Sequence, residues 1–346
     1  MNALVNAGVN AGLALAAVAA LFAIAFFIGP HAPAVFYIAI PYASMLIFLL
    51  GIPYQLVFKW GKAPVPFPIA TTCGQQKSLS WINSSRSENP SSRAGVILRM
   101  ALGILLFRSL LRTTNSTTSQ KQQSLFTFGP LLWILAVLLH YSILIVSIRH
   151  LRFFFEPVPS VVLFVQYFDS FFDIATPALN ISGVVLILAS ISLLIRRLLD
   201  RNVRYISLPS DYFPLFLIIA IASTGVFMRY FANPDATSVK DLVISIVSFR
   251  PLIPSQLEPM LTAHIFLVCV LIAYLPFSKL SHMAGVFLSP TRNMRCNTRE
   301  YRHINPWNAP TRQRPYSDYE NEFRETMLQC DLPVDSEKQE GDPRSV

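Results

Sequence analysis

Residues 125–148 read LFTFGPLLWILAVLLHYSILIVSI, a run of 24 residues without a charged side chain. A helix needs about 20 apolar residues to cross the hydrocarbon core of a bilayer. The run is therefore long enough to form a transmembrane helix. Two polar features accompany it, because His140 lies inside the run and Arg149-His150 follows it directly.

Five more uncharged windows of similar length predict an all-α integral membrane protein with six transmembrane helices, called spans one to six in chain order. The composition agrees, because 53% of residues are hydrophobic and only 14% are charged, whereas soluble domains carry roughly 25% charged residues. No basic residue precedes the first window, so we expect a span there and not a cleaved signal peptide. The other windows are Ala11–Ile28, Ala34–Phe58, Ile174–Ile195, Tyr212–Met228 and Pro259–Ser278.

Lysine and arginine are distributed unevenly over the connections. Nine lie between Lys59 and Gly129, four between Arg196 and Asp211, and nine after Lys279, against five in the two connections of the opposite side. Basic loops stay in the cytoplasm. The pattern predicts a multi-pass protein of the cytoplasmic membrane with both termini inside. It also accounts for the net charge of +9 without a nucleic-acid partner.

The apolar stretch Val96–Leu111 differs from the six windows because Arg99, Arg108 and Arg112 interrupt or border it. Arginine at the bilayer centre is costly, so we expect a helix lying in the plane of the membrane surface. The predicted regions are 1–58 with two N-terminal spans, 59–124 with a basic cytoplasmic loop and the in-plane helix, 125–288 with the bundle core, and 289–346 with a polar cytoplasmic tail.

The four cysteines do not resemble the ligands of a metal cluster. Cys73, Cys269, Cys296 and Cys330 are scattered along the chain and form no Cys-x-x-Cys pair. Zinc sites, iron–sulfur clusters and covalently attached haem therefore lack their usual ligands. Any metal chemistry must use histidine.

Four of the six histidines fall into two pairs at matching depths. Because spans three and six run antiparallel, His140 shares the inner side with His282 (the inner pair), and His150 shares the outer side with His264 (the outer pair). Imidazoles from facing helices can hold an iron between them. We predict two bis-histidine haems b in a four- or five-helix bundle, with an extra N-terminal helix and a cytoplasmic tail. A single histidine could instead merely hydrogen-bond a neighbouring helix, but four in matched pairs favour ligation.

The two histidine spacings are unequal. At 1.5 Å per residue, ten residues separate His140 from His150 by about 15 Å, and eighteen separate His264 from His282 by about 27 Å. Tilt of the helices must compensate for this difference in axial spacing. The angular spacing of about 100° per residue puts His264 and His282 on one helix face. His31 and His303 have no partner at matching depth, so we expect neither to be a ligand.

These histidines resemble those of the dihaem cytochrome b family of the respiratory nitrate reductase gamma subunit. The resemblance covers Leu125 to about Pro290 and rests on His-x9-His in span three, His-x17-His in span six, and Pro276-Phe277-Ser278-Lys279 before the last histidine. It implies that the four histidines are haem ligands. This chain has Arg149 where that family has glycine before its second ligand, so the family's quinol pocket does not transfer directly.

Outside that core the chain resembles a narrower group, the cytochrome b subunit (DsrM) of the membrane complex associated with dissimilatory sulfite reduction. This resemblance implies a cytoplasmic iron–sulfur partner similar to the heterodisulfide reductase catalytic subunit. It also implies a multihaem cytochrome c, a periplasmic ferredoxin-like protein and a second quinone-interacting membrane subunit. The residues that carry it are the extra N-terminal helix, Pro64–Pro68, Thr71–Leu79, His303–Trp307 and Tyr316–Glu320.

Haems with histidine on both faces have no open position for substrate, so they pass electrons. A lipid-soluble quinone is the expected exchangeable substrate, and we place its site beside the outer pair. Candidate proton acceptors are Glu156, Asp169 and Asp173. Candidate anchors for haem propionates or a quinol oxygen are Arg149, Arg152 and Arg229 at the outer side and Lys279 at the inner side. Each of these charges could instead simply reach water at the membrane interface.

Electrons at the inner haem require a cytoplasmic partner, because the scattered cysteines supply no further centre. We expect docking through the basic stretches Lys59–Arg112 and Arg292–Arg314. Within the same class, the alternatives are the anchor of a nitrate reductase or of a methanogen-type heterodisulfide reductase. From another class, a haem-free transporter or assembly scaffold is the alternative, although paired Gly/Pro-broken helices in repeated halves are not evident.

Overall fold

A computed structural model describes residues 2–60, 85, 87–113, 129–170, 178–253, 258–288, 290–297 and 314–334. Every regular element in these ranges is helical. The prediction of an all-α protein is confirmed. Several sequence features named above lie outside the described residues, namely Asp173, His303, Cys73, Pro64–Pro68, Thr71–Leu79 and His303–Trp307.

Within the described ranges, six helices are long and apolar enough to cross a membrane, which confirms the predicted number of spans. Span four begins later than predicted: its window opened at Ile174, whereas its helix begins at Ile181, directly after an extended Asn180. The six spans are Asn6–His31, Val35–Trp60, Pro130–Phe153, Ile181–Leu199, Pro209–Ala232 and Pro259–Phe277.

The spans consist of α-helices that several short 3-10 or π turns extend. The α-helices are Asn2–Ile28, Ile40–Pro53, Gly129–His150, Ile181–Leu199, Pro209–Phe227 and Pro259–Tyr274. The added turns are Gly29–His31, Val35–Ala39, Tyr54–Trp60, Leu151–Phe153, Met228–Ala232 and Leu275–Phe277. The shorter helices are Arg93–Leu105, Arg108–Thr113, Ser160–Asp169, Arg201–Ile206, Ala236–Val247, His282–Leu288, Pro290–Asn293 and Tyr316–Gln329.

A stripe of small residues brings span one close to the rest of the bundle. Ala11 and Ala14 pack on Tyr212 of span five. Farther along, Val18 meets Leu217 and Leu267 of spans five and six. Small side chains allow helix backbones to approach closely in a membrane, where dispersion contacts replace the hydrophobic effect. Span one is thereby fixed against spans five and six.

Spans three to six follow one another around the bundle, because three packs on four, four on five and five on six. Span two packs on span six. Among the described parts of the chain, spans three and six are not a closely packed pair. Side chains bridge the interval between them, and these include the histidines.

The predicted in-plane helix Val96–Leu111 is two helices, Arg93–Leu105 and Arg108–Thr113. Ser92 caps the first by accepting a hydrogen bond from the Gly95 backbone N–H. The break occurs at Phe107, which has a positive φ of 49°. The orientation of this pair relative to the membrane stays a prediction.

Candidate haem-binding site

The structure brings the four histidines together in the predicted combinations. The ring centroids of His140 and His282 are 6.1 Å apart, and those of His150 and His264 are 6.4 Å apart. Each pair joins span three to span six or to the segment that follows it. Spans three and six therefore run antiparallel.

Three of the imidazoles are oriented by backbone carbonyls. The Nδ1 atoms of His140, His150 and His282 lie 2.7 Å from the carbonyl oxygens of Ala136, Val146 and Lys279, respectively. A carbonyl oxygen only accepts hydrogen bonds, so each Nδ1 carries the proton. Nε2 is consequently the unprotonated nitrogen that can bind a metal in all three rings.

The fourth imidazole is oriented by a threonine. His264 Nδ1 lies 2.8 Å from Thr224 Oγ1 of span five. That hydroxyl is also 2.9 Å from the carbonyl oxygens of Ala220 and Ile221, to which it donates its single proton. Thr224 therefore accepts the Nδ1 proton of His264, and Nε2 is again unprotonated.

Gly225 gives the His264 ring its room. A Cβ built at Gly225 would lie 3.3 Å from His264 Cε1, tighter than an ordinary van der Waals contact. Together, Thr224 and Gly225 fix the ring by one hydrogen bond and one close backbone approach.

Span six is not a continuous helix up to His282. Pro276 lies in the 3-10 turn Leu275–Phe277, Ser278 is extended, and Lys279–Ser281 forms a second turn before a new helix starts at His282. The predicted shared face assumes an uninterrupted helix, and the break between His264 and His282 removes that assumption. A helix break, and not tilt alone, places the two histidines at the levels of their partners in span three.

The geometry of both pairs fits an iron between two imidazoles. Two metal–nitrogen bonds of about 2.0–2.1 Å, plus half the width of each ring, put the ring centroids about 6 Å apart. His150 and His282 are exposed on the protein surface, and His140 and His264 are half-buried. Bare imidazoles are costly at membrane depth, and a flat apolar cofactor would cover them.

Arg149 and Asp169 form a buried ion pair beside the outer pair, with Arg149 Nη1 2.7 Å from Asp169 Oδ2. Asp169 also accepts hydrogen bonds of 2.7 Å from the backbone N–H and the hydroxyl of Ser182. The carboxylate thus caps the start of span four, where backbone N–H groups lack helical partners.

Arg229 reaches the same end of span four from span five, because its Nη2 donates to the Ala178 carbonyl oxygen over 3.2 Å. The Nε atoms of Arg149 and Arg229 are buried and have no hydrogen-bond partner among the described residues. Two cationic groups therefore converge near Ala178 and Ser182 with donors to spare. Two guanidinium groups in this arrangement can donate hydrogen bonds to a negatively charged oxygen atom.

The other predicted outer residues are less buried. Arg152 donates to Gln166 Oε1 over 3.3 Å and lies over the Phe153 ring. Glu156 is ion-paired with Lys240 and is 70% exposed. The quinol roles of Arg152, Glu156, Asp169 and Asp173 stay predictions.

At the inner side, the Lys279 ammonium lies 2.5 Å from Asp211 Oδ1. The Asp211 carboxylate is buried, is 3.9 Å from Arg197, and accepts a hydrogen bond from the Leu208 backbone N–H. The Lys279 side chain is 81% exposed. The backbone carbonyl oxygen of Lys279 also orients the His282 ring. This contribution does not depend on the lysine charge and was not predicted from the sequence.

His31 is exposed in the turn Gly29–His31. Among the described residues, no group of three or more histidine, cysteine or acidic side chains could hold a metal ion. The histidine pairs therefore remain the metal-binding candidates in this part of the chain.

The model of the family described as nitrate reductase gamma subunit matches residues 95–302, more than half of the chain. The chain belongs to the nitrate reductase gamma subunit family. Two curated relatives carry the name Hdr-like menaquinol oxidoreductase cytochrome b-like subunit.

The relative from Archaeoglobus fulgidus is 40% identical over 283 residues, which cover 79% of this chain and 83% of the relative. The relative from Archaeoglobus profundus is 39% identical over 280 residues, which cover 79% and 82%. The gamma family match is also wider than the predicted resemblance, since it begins at Gly95 and not at Leu125. It therefore includes most of the helix Arg93–Leu105.

Several residues around the histidine pairs were not predicted from the sequence. Thr224 and Gly225 belong to the trio Ser223-Thr224-Gly225, a polar interruption of the apolar span five that is visible in the sequence. Phe107, whose ring centroid lies 4.8 Å from that of His140, gave no signal because it is one apolar residue among many. The carbonyl partners of the histidines have no sequence signature.

Proposed function

We propose that this protein is a membrane cytochrome b subunit that carries electrons between menaquinol and a cytoplasmic iron–sulfur subunit of a respiratory complex. The observation that carries the proposal is the pair of imidazole clamps, 6.1 and 6.4 Å between ring centroids, with every Nδ1 already hydrogen-bonded. The names of the two Archaeoglobus relatives agree with it.

Each clamp would hold one haem b, the inner one through His140 and His282 and the outer one through His150 and His264. When bound, haem b would supply one-electron redox chemistry. The protein contributes the fixed tautomers, which direct Nε2 of each ring toward the interval between spans three and six. With His140 and His282, or His150 and His264, as its two ligands, a bound haem would transfer electrons and would not transform a substrate at iron.

We place quinol oxidation or quinone reduction beside the outer pair. Arg149 and Arg229 would bind a haem propionate or a quinone oxygen, and Arg152 would assist from the following turn. Glu156, Asp169 and Asp173 would exchange protons with the quinone. At the inner side, Lys279 would turn from Asp211 toward a propionate.

The acid–base role is tested by Asp169→Asn combined with Asp173→Asn. Asparagine keeps an oxygen that can accept from the Ser182 backbone N–H, so the cap of span four survives in part. Haem reduction by added menaquinol analogue should slow by an order of magnitude or more. An unchanged rate at unchanged haem content would remove these carboxylates from the proton path.

We assign the cytoplasmic partner to the heterodisulfide reductase-like class because both relatives carry "Hdr-like" in their names. The basic stretches Lys59–Arg112 and Arg292–Arg314 would dock it. A sulfite-linked complex of the DsrM type would add a multihaem cytochrome c, a periplasmic ferredoxin-like protein and a second quinone-interacting membrane subunit. Removing the residues after Pro290 should abolish co-purification with the iron–sulfur subunit, and retention of the subunit would contradict docking through the tail.

Single histidine substitutions test the pairing. His140→Ala and His282→Ala should each remove the same haem, whereas His150→Ala and His264→Ala should each remove the other. His31→Ala is the matched control and should change neither. A potentiometric titration of each purified variant, followed in the absorption band of haem b, distinguishes these patterns. Retention of both haems in all four variants would show that these histidines are not the haem ligands.

A further inference from the structure

The inner pair is covered by a segment that belongs to neither span three nor span six. The helices Arg93–Leu105 and Arg108–Thr113 meet at Phe107, whose ring lies 4.8 Å from the His140 ring at an interplanar angle of 45°. Phe107 has φ of 49°, a left-handed conformation that a bulky side chain rarely adopts. Such strained residues persist only where the surrounding structure holds them.

Span three anchors this segment on the helix face that carries His140. Trp133 Nε1 donates to the Leu106 carbonyl oxygen over 2.7 Å, and the Tyr141 hydroxyl donates to the Leu105 carbonyl oxygen over 2.9 Å. Trp133 precedes His140 by seven residues, two helical turns, so both lie on one face. The terminal carbonyls of a helix need such donors.

A buried arginine fastens the same segment to the chain that follows His282. Arg99, 7% exposed, donates to the carbonyl oxygens of Glu88 and Met294 over 2.9 Å and to that of Arg292. The Cys296 backbone N–H donates to the Pro90 carbonyl oxygen over 2.9 Å. We call this connection between residues 87–113 and 290–297 the Arg99 clasp.

We propose that Phe107 is a positioning residue for the His140 imidazole, held in place by the Arg99 clasp, and that it sets the orientation of that ligand and the exclusion of water at the inner haem. The proposal rests on the proposed function, because it presupposes a haem between His140 and His282. An aromatic ring against an imidazole restricts its rotation, and an apolar cover disfavours the more highly charged ferric state.

The test compares Phe107→Leu and Phe107→Ala with Phe153→Leu in the full-length holoprotein. Phe153 is the matched control, because its ring centroid lies 6.1 Å from that of His150 in the outer pair. Phe107→Leu should move the low-spin ferric electron paramagnetic resonance signal of the inner haem. Phe107→Ala should in addition shift the inner midpoint potential to a more negative value. Phe153→Leu should leave both inner properties unchanged.

Arg99→Ala should reproduce the shift of the inner signal if the clasp holds Phe107. Should this variant fail to fold, the Phe107 variants still decide the matter. Two bound haems with unchanged spectra and potentials in both Phe107 variants would overturn the positioning role while leaving the proposed function intact. Absence of haem from the unsubstituted protein would instead overturn the proposed function itself.

Discussion

At the scale of single residues, metal binding by each histidine depends on which ring nitrogen is unprotonated. Backbone carbonyls occupy Nδ1 of His140, His150 and His282, and only His264 relies on a side chain, Thr224. A hydrogen bond to the far nitrogen raises the basicity of a histidine ligand and fixes its tautomer. A side-chain substitution cannot remove the three backbone carbonyls, but it can remove the hydroxyl of Thr224.

Thr224→Val removes the acceptor for His264 Nδ1 and keeps the shape of the side chain. A less basic ligand stabilises ferric iron less well, so the midpoint potential of the outer haem should rise and its retention during purification should fall. Thr224→Ser is the control and should behave like the unsubstituted protein. Potentiometric titration provides the measurement, and a shift confined to the inner haem would contradict the assignment of His264 to the outer pair.

At the scale of helices, the start of span four is capped by a carboxylate that belongs to a different helix. Asp169, the last residue of the helix Ser160–Asp169, caps span four through Ser182 and pairs with Arg149 of span three. The carboxylate is only 4% exposed. Breaking such a pair leaves a buried charge without a partner.

Asp169→Ala should therefore destabilise the junction of spans three and four by about 3–5 kcal/mol. Asp169→Asn should cost less, because its amide oxygen still accepts from the Ser182 backbone N–H. Thermal unfolding in detergent, followed by loss of haem absorbance, ranks the two variants. Equal stability of both variants and the unsubstituted protein would show that the cap contributes nothing.

The sequence predicted helices better than the breaks within them. The uncharged windows predicted the positions of the six spans, because charged side chains are costly in lipid and are therefore rare within a span. The break of span six at Leu275–Ser281 was missed, although Pro276 marks it, because one proline in an apolar run does not fix where a helix resumes. Phe107 and Thr224 were missed because their roles depend on packing between distant segments.

At the scale of the whole molecule, the six spans found among the described residues would put both ends of the chain on one side of the membrane. The excess of lysine and arginine predicts that this side is the cytoplasm. On this prediction, one histidine pair would lie toward each membrane surface. Electron transfer from the outer pair to the inner pair would then cross the bilayer toward the basic segments that we propose for docking.

Cys330 reports this topology without an engineered label. It is exposed at the end of the tail helix Tyr316–Gln329, whereas Cys269 and Cys296 are buried. A membrane-impermeant maleimide should label Cys330 in inside-out vesicles and spare it in right-side-out spheroplasts. In the Cys330→Ser variant the label should disappear, which shows that it was attached to Cys330. Labelling of Cys330 in intact spheroplasts would reverse the predicted orientation.

The number and kind of haem groups in the purified protein decide whether the two histidine pairs are haem ligands. A pyridine haemochrome assay should give two haems b per polypeptide, and electron paramagnetic resonance should show both as low-spin, bis-histidine centres. One haem, none, or a high-spin centre open to an added ligand would contradict the assignment of the inner and outer pairs.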